Sequence, residues 1–195
     1  NRALPDDRYE VDHGEGRRTQ WLARLGEHTE ALLQLRFRDL SGGSAVYRAN
    51  VFVPGSNDTV PGFDREALDQ DAVPTLDVET RGLSLHLDGR WGALRWASIT
   101  SWDSVEMFAR GDVDGGFGAA FAPPFGPGPI PFPAESGDGI PDHRQWTQEF
   151  RLHSDGDGAT QWLVGAFFFD ESLDIENLSY DTLAGSALNG FARQT

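Results

Sequence analysis

Apolar and polar residues alternate with period two in several separated stretches of this chain. Within Thr29–Leu40, Leu33, Leu35 and Phe37 alternate with Gln34, Arg36 and Arg38. That pattern predicts a strand with one apolar and one wet face. Arg17–Gly26 is a weaker strand candidate: Trp21, Ala23 and Leu25 share one parity, and Leu22 breaks the pattern. A helix over Arg17–Arg38 stays open, because Trp21, Leu22, Leu25, Leu32 and Leu35 have roughly helical spacing, but Gly26 interrupts it. In Asp77–Asp88, Leu83, Leu85 and Leu87 alternate with Gly82, Ser84 and His86. Asp88-Gly89 reads as the start of a hairpin turn, with a return strand from about Ala93 to Arg110. The facing of that return strand is ambiguous, since Leu94, Trp96 and Trp102 share parity with Ser98 and Thr100. Gln145–His153 alternates again, Ser154–Gly158 reads as a tight turn, and the aromatic stretch Ala159–Asp170 returns, extending to Tyr180. Asp181–Thr195 reads as loop.

Between these stretches the periodicity stops. Asn1–Gly16 is polar and turn-rich, and Ser41–Leu76 reads as one long loop. Gly and Pro crowd Gly111–Arg144, including the run Pro123–Pro129, so neither a helix nor an inner strand is expected there. Strand pairs are thus joined by short turns, and consecutive pairs by long loops. Membrane β-barrels are built with short turns at one end and long loops at the other. Trp21, Trp91, Trp96 and Trp162 lie near the short turns, while Trp102 and Trp146 lie farther along the strands. Ten residues at about 3.4 Å, tilted about 45°, climb roughly 24 Å, close to the roughly 25 Å apolar band between the aromatic girdles of such barrels.

Composition narrows the function. The chain has 195 residues and a net charge of −15. Every basic residue is arginine, and the acidic balance leaves no basic surface for nucleic acid, so no such partner is expected. It also opposes docking onto anionic headgroups. With no cysteine, disulfides and thiolate metal sites are excluded. No apolar run reaches the roughly 18 residues of a membrane helix, which leaves β-barrels untouched. The first residue is not Met and no leader pattern follows, so the chain reads as an internal piece of something longer.

Catalytic signatures are missing: no Gly-x-Ser-x-Gly, phosphate loop, His-Glu-x-x-His or dinucleotide fingerprint occurs. His13, His28, His86, His143 and His153 stand singly, and Asp112-Val113-Asp114-Gly115-Gly116 lacks the distal Glu of a calcium loop. No enzyme, metal or cofactor is expected.

Leu83–Asp88 with Leu94–Trp102, and Gln145–Leu152 with Gln161–Glu171, resemble barrel hairpins of TonB-dependent outer-membrane receptors, and Arg17–Leu40 is similar to an earlier one. The resemblance implies an all-β antiparallel meander forming part of a large transmembrane barrel, with short periplasmic turns and long extracellular loops. Residues 1–195 would supply about six strands, without plug domain or C-terminal strands. It implies uptake of a scarce nutrient, such as a ferric siderophore, across a Gram-negative outer membrane. The implied partners are outer-membrane lipid, the nutrient ligand, and the TonB complex through parts outside this chain.

Glu149 and Arg151 lie two apart on one strand face. With Arg36, Arg38 and His86 they are the expected lumen-facing contacts for a polar ligand. Phe121, Phe125 and Phe132, in the Gly/Pro loop, are the expected contacts at the barrel mouth. Two alternatives stay open. One is an extracellular β-sandwich that binds carbohydrate on Trp faces. The other is a glycoside hydrolase using paired carboxylates such as Glu149 and Glu171.

Overall fold

A computed structural model describes residues 13–49, 51–67, 74–113, 115, 120–121, 128–129, 134–156, 158–181 and 187–195. Among these there is no helix, so the helical alternative for Arg17–Arg38 is set aside. The strands are β1 (His13–Arg24), β2 (Thr29–Gly42), β3 (Thr75–Trp91), β4 (Leu94–Asp112), β5 (Ala120–Phe121), β6 (Gly128–Pro129), β7 (Ala134–Ser154), β8 (Leu163–Asp181) and β9 (Ala187–Gln194). β5 and β6 form a two-residue pair between β4 and β7. The other seven form one sheet in the order β1-β2-β3-β4-β7-β8-β9, antiparallel throughout. The sheet is open, with β1 and β9 at its edges.

Strand length is the first unusual feature. β4, β7 and β8 run for 19, 21 and 19 residues. Strands of globular domains usually run about 3–10 residues. At about 3.4 Å per residue a 19-residue strand is about 65 Å long, and at 45° it rises about 46 Å.

The short turns are as expected in place, but two differ in detail. Asp88-Gly89 lies inside β3, where Gly89 pairs with Trp96; the turn is Gly92-Ala93. Gly92 has φ 62°, the left-handed value that primed hairpin turns require at their first central position. The turn after β7 is longer than Ser154–Gly158, since β8 begins only at Leu163. Gln161 holds this loop together: its Nε2 donates to the carbonyls of Gly156 (2.6 Å) and Gly158 (3.1 Å). Ser154 Oγ donates to Gln161 Oε1 at 2.8 Å and accepts the Trp162 amide at 2.9 Å.

Three loop expectations are corrected. β1 begins at His13, inside the stretch expected to be turn-rich. The C-terminal stretch contains β9, which pairs with β8 from Ile175 to Asp181. Residues 134–144, expected to exclude an inner strand, form the first half of β7, between β4 and β8. Their Gly-rich sequence has no alternation, so only pairing with β4 and β8 reveals the strand. Pro141 is accommodated there because it has no partner in either ladder: the register shifts at Pro141-Asp142 against β4 and at Ile140-Pro141 against β8, which places Pro141 in a β-bulge.

The loop after β2 lacks long strands but is anchored. Phe52 and Thr59 form a bridge. The Arg48 guanidinium lies over the Phe63 ring at 5.4 Å and donates to the carbonyls of Asp64, Arg65 and Ala67. Ser44 Oγ donates to the Arg110 carbonyl at 2.6 Å, fastening the loop to the end of β4.

Candidate functional site: two faces that exchange character

The register assigns every strand residue to a face. On the face of Leu33, one row reads Trp21, Leu33, Leu85, Thr100, Gln148, Phe168 across β1, β2, β3, β4, β7 and β8. The next row towards the long loops reads Thr19, Leu35, Leu83, Trp102, Trp146, Asp170, apolar in its centre and polar at both ends. Towards the short turns come Leu87 and Phe150, then Trp96, Leu152 and Val164, then Trp91 and Leu94. This settles the facing of β4: its Trp residues lie on the apolar face. The polar residues there bond to one another, Thr100 to Gln148 at 2.5 Å and Gln148 to Ser98 at 3.0 Å. Large side chains stand open on this face, with Trp21 50%, Trp146 43% and Phe168 56% exposed.

The apolar face ends at a sharp border on its long-loop side. There one row reads Arg17, Phe37, Arg81, Ser104, Arg144, Ser172. Beyond it, Glu15, Asp39, Glu79 and Glu106 are cross-strand neighbours, and Asp142 opposite Asp174 continues the row past the bulge. From the Trp91–Leu94 row to the arginine row is ten residues along β4, Leu94 to Ser104. That is about 34 Å along the strands, or about 24 Å at 45° tilt.

The opposite face, that of Arg36, is mixed over the same span: one row reads Gln20, Gln34, Ser84, Ser101, Thr147 and Phe169, the next towards the long loops Arg18, Arg36, Gly82, Asp103, Gln145 and Glu171, and the next towards the short turns Leu22, Leu32, His86, Ile99, Glu149 and Phe167. Beyond the border it turns apolar, with Leu40, Val78, Val105, Met107 and Ile140 half-buried. The two faces therefore exchange character partway along the strands.

Five of the expected ligand contacts, Arg36, Arg38, His86, Glu149 and Arg151, share the Arg36 face but are spread along it, the Arg38 row and the Arg151 row being about 27 Å apart. Arg36 Nη2 pairs with Asp103 Oδ1 at 2.7 Å. Gly82 lies between them on β3, and a Cβ there would fall 2.6 Å from Asp103 Oδ1 and 2.9 Å from Arg36 Nε. The pair thus lies over β3 only because residue 82 has no side chain. His86 Nε2 meets Asp88 Oδ2 at 3.1 Å, and Arg151 Nε meets Glu149 Oε1 at 2.5 Å, each within one strand. Arg38 is exposed, and among the described residues it makes no ion pair or hydrogen bond. Phe121 lies in β5, and Phe125 and Phe132 fall outside the described residues.

Asp103, His143 and Glu171 were not singled out from sequence as members of this face. His143 Nε2 lies 2.8 Å from Glu171 Oε1, bridging β7 and β8. The available signal was parity, which assigns each to a strand face, but their partners lie far away in sequence. Glu149 and Glu171 share this face, yet Glu149 opposes Phe167, four residues from Glu171. That separation is about 14 Å, beyond the roughly 9.5 Å limit for a glycosidase carboxylate pair. Among the described residues no group of three His, Asp or Glu is placed to hold a metal ion.

Exposed ion pairs contribute about 0–1 kcal/mol, so the Arg36–Asp103 pair fixes geometry more than stability. In Gly82→Ala the two side chains must separate, while the lost glycine flexibility offsets about 0.4–1 kcal/mol. The expected net change is under about 1 kcal/mol. A double-mutant cycle of Arg36→Ala and Asp103→Ala should show coupling of about 0.2–1 kcal/mol with Gly82 present and none in the Gly82→Ala background. Equal coupling in both backgrounds would refute the role given to Gly82.

At the short-turn end, Asp155 Oδ2 accepts from Arg95 Nε at 2.9 Å and Arg90 Nη2 at 2.6 Å, tying the β3–β4 hairpin to the β7–β8 loop. The Arg95 hydrogen bond, helped by the Arg90 charge against some desolvation, holds the Asp155 carboxyl below its ordinary range. A carboxyl lowered in the folded state adds stability above its unfolded pKa, lost as pH falls through the folded one. Asp155→Asn should therefore be less stable than wild type at pH 7 and converge with it under strong acid. Parallel denaturation curves at pH 7 and pH 2 would test this, and an unchanged gap would count against the assignment.

A comparison of the chain with protein-family models, curated proteins and solved structures found no match in any of the three.

Proposed function

We propose that this chain is a wall segment of a large outer-membrane β-barrel of the TonB-dependent receptor type, serving uptake of a scarce small nutrient. The observation that supports this reading is the exchange of character between the two faces. A sheet in a soluble sandwich keeps one apolar face along its whole length, because that face meets one core. A barrel wall that rises past the bilayer does not. In lipid its outside must be apolar and its inside can hold water; above the lipid its outside is wet and its inside packs against loops. The Leu33 face is then the lipid side, and its apolar extent of about 24 Å matches the roughly 25 Å band of such barrels. The Arg36 face is the lumen side, where Arg38, Arg36, His86 and Glu149 meet a polar ligand in passage. Further strands of the barrel would pair with the edges of β1 and β9, since lipid does not tolerate an open edge. Energy from a TonB complex would enter through parts outside this chain.

The test uses the six tryptophans. The chain is refolded into vesicles with brominated acyl chains, and Trp emission is compared with that in unlabelled vesicles. Strong quenching, with β-type circular dichroism only when lipid is present, is the expected result. A cooperative β fold in plain buffer without quenching would sink the proposal.

A second reading has one observation in its favour. Trp102 and Trp146 are direct cross-strand partners. Two adjacent indoles form the kind of platform on which sugar rings stack. Retention of the folded chain on an insoluble glucan, lost in Trp146→Ala, would favour a carbohydrate-binding sandwich.

A further inference from the structure

Acids outnumber basic residues in this chain, 31 to 16. Among the described residues every strand arginine but two meets a carboxylate. The two are Arg18 on β1 and Arg38 on β2, and they are neighbours on the Arg36 face. Arg18 is directly opposite Arg36, while Arg38, two residues along from Arg36, is opposite Gly16. Direct cross-strand partners have Cβ atoms about 4.5–5.5 Å apart, and diagonal partners about 7–8 Å. Three long guanidinium side chains therefore share one patch, and all three are exposed. Like charges directly opposite one another destabilise a sheet. Arg18 Nη2 donates to Gln34 Oε1 at 3.2 Å, which occupies one N–H but neutralises no charge.

The patch has one carboxylate. From the Gly14–Leu40–Val78 row to the Leu22–Leu32–His86 row, β1, β2 and β3 place no acid on this face. Asp103 alone reaches in, from β4 and across Gly82, to lie 2.7 Å from Arg36 Nη2. The floor around Arg38 is bare. Its cross-strand partners are Gly16 and Thr80, and nothing lies within 4 Å of a Cβ built on Gly16. Asp103 shows the chemistry on one arginine: an anionic oxygen seated on a guanidinium over a glycine. Arg18 and Arg38 offer the same donors without such an acceptor.

We propose that Arg18, Arg36 and Arg38 form a binding site for a small multivalent oxyanion, a ligand with two or more carboxylate or phosphate groups. The planar guanidinium fork matches the paired oxygens of both groups. The inference deepens the uptake reading and rests on it for the passage of a ligand along this face: the nutrient is anionic, and a neutral sugar is not the cargo. A net charge of −15 opposes such a ligand over the chain as a whole, so a local excess of guanidinium is what holds it at this height of the wall.

The experiment uses the chain refolded into phosphatidylcholine vesicles with brominated acyl chains. Binding of propane-1,2,3-tricarboxylate, pyrophosphate and glucose is measured by titration calorimetry, at constant ionic strength set with sodium chloride. Saturable heat with either oxyanion and none with glucose is the expected result, and the tighter oxyanion identifies the group as carboxylate or phosphate. Arg18→Gln and Arg38→Gln should each weaken binding about tenfold, and Gly16→Asp, which supplies a carboxylate opposite Arg38, by at least about tenfold. Gly16→Ala should change it less than about twofold, and so should Arg24→Gln, which removes a charge from the same face about 20 Å away along β1, beyond the screening length of about 8 Å. Heat that never saturates, or equal losses in Arg24→Gln and Arg38→Gln, would overturn the site in favour of a general charge effect. Tryptophan quenching without anion binding would overturn this inference and leave the membrane reading intact. Saturable binding by a chain that folds in buffer and shows no quenching would sink the lipid-side reading and support the oxyanion site.

Discussion

Leu85→Arg is expected to cut insertion of the chain into neutral lipid vesicles by about 30-fold to 1000-fold. Leu85 is in the central row of the apolar face, between Leu33 on β2 and Thr100 on β4. An arginine on the lipid side of a barrel costs about 2–4 kcal/mol at the bilayer midplane. Snorkelling lowers that cost near a border, but Leu85 lies four residues from Arg81 and the arginine row. The adjacent position provides the control. Ser84 is on the Arg36 face, where it neighbours Gln34 and Ser101. Ser84→Arg adds the same charge one residue away and should change insertion by less than about fivefold, because a wet face accepts it. Equal losses for the two variants would show that the faces are misassigned. If the wild-type chain folds in buffer and Leu85→Arg abolishes that fold, the apolar face is a protein core and the sandwich reading gains.

Gly115→Val is expected to destabilise the long-loop end by about 2–4 kcal/mol. Gly115 has φ 74°, in the left-handed region that costs a β-branched residue about 1–3 kcal/mol. A Cβ there would also lie 2.4 Å from the Ala49 amide nitrogen and 2.8 Å from the Arg48 carbonyl carbon. Both are backbone atoms, so the clash cannot be relieved by a rotamer and adds about 1–3 kcal/mol. The Gly115 amide also donates to Asp112 Oδ1 at 3.0 Å, which fixes the turn that brings it there. The expected readout is local: faster proteolysis within residues 43–67, with the strand signal in circular dichroism retained. Gly16→Ala is the matched control, since nothing lies within 4 Å of its added Cβ. Loss of the whole sheet in Gly115→Val would mean that this loop contact supports more than the loop.

How far the sequence alone reaches can be judged at particular residues. The alternation of Leu33, Leu35 and Phe37, and of Leu83, Leu85 and Leu87, identifies strands because period two is a local property of the extended chain. Turn-forming residues near 26–28, 88–92 and 154–158 announce the order of a meander, since short connections leave consecutive strands little choice but to pair, although the second turn falls at Gly92-Ala93 and not at Asp88-Gly89. The grouping of Arg36, Arg38, His86, Glu149 and Arg151 on one face also followed from parity. Other features needed the third dimension. Residues 134–144 become strand only because the ladders from β4 and β8 satisfy their backbone groups, which no side-chain pattern there announces. Asp103 finds Arg36 across 67 residues of sequence and over a glycine on the strand between. The arginine row, the carboxylate row and the exchange of faces are alignments of single residues from different strands. Each depends on register, and a one-residue slip would move every side chain to the other face. Local chemistry determined which segments extend and where they turn; pairing across strands decided which charges became neighbours, and at what height the apolar face ends.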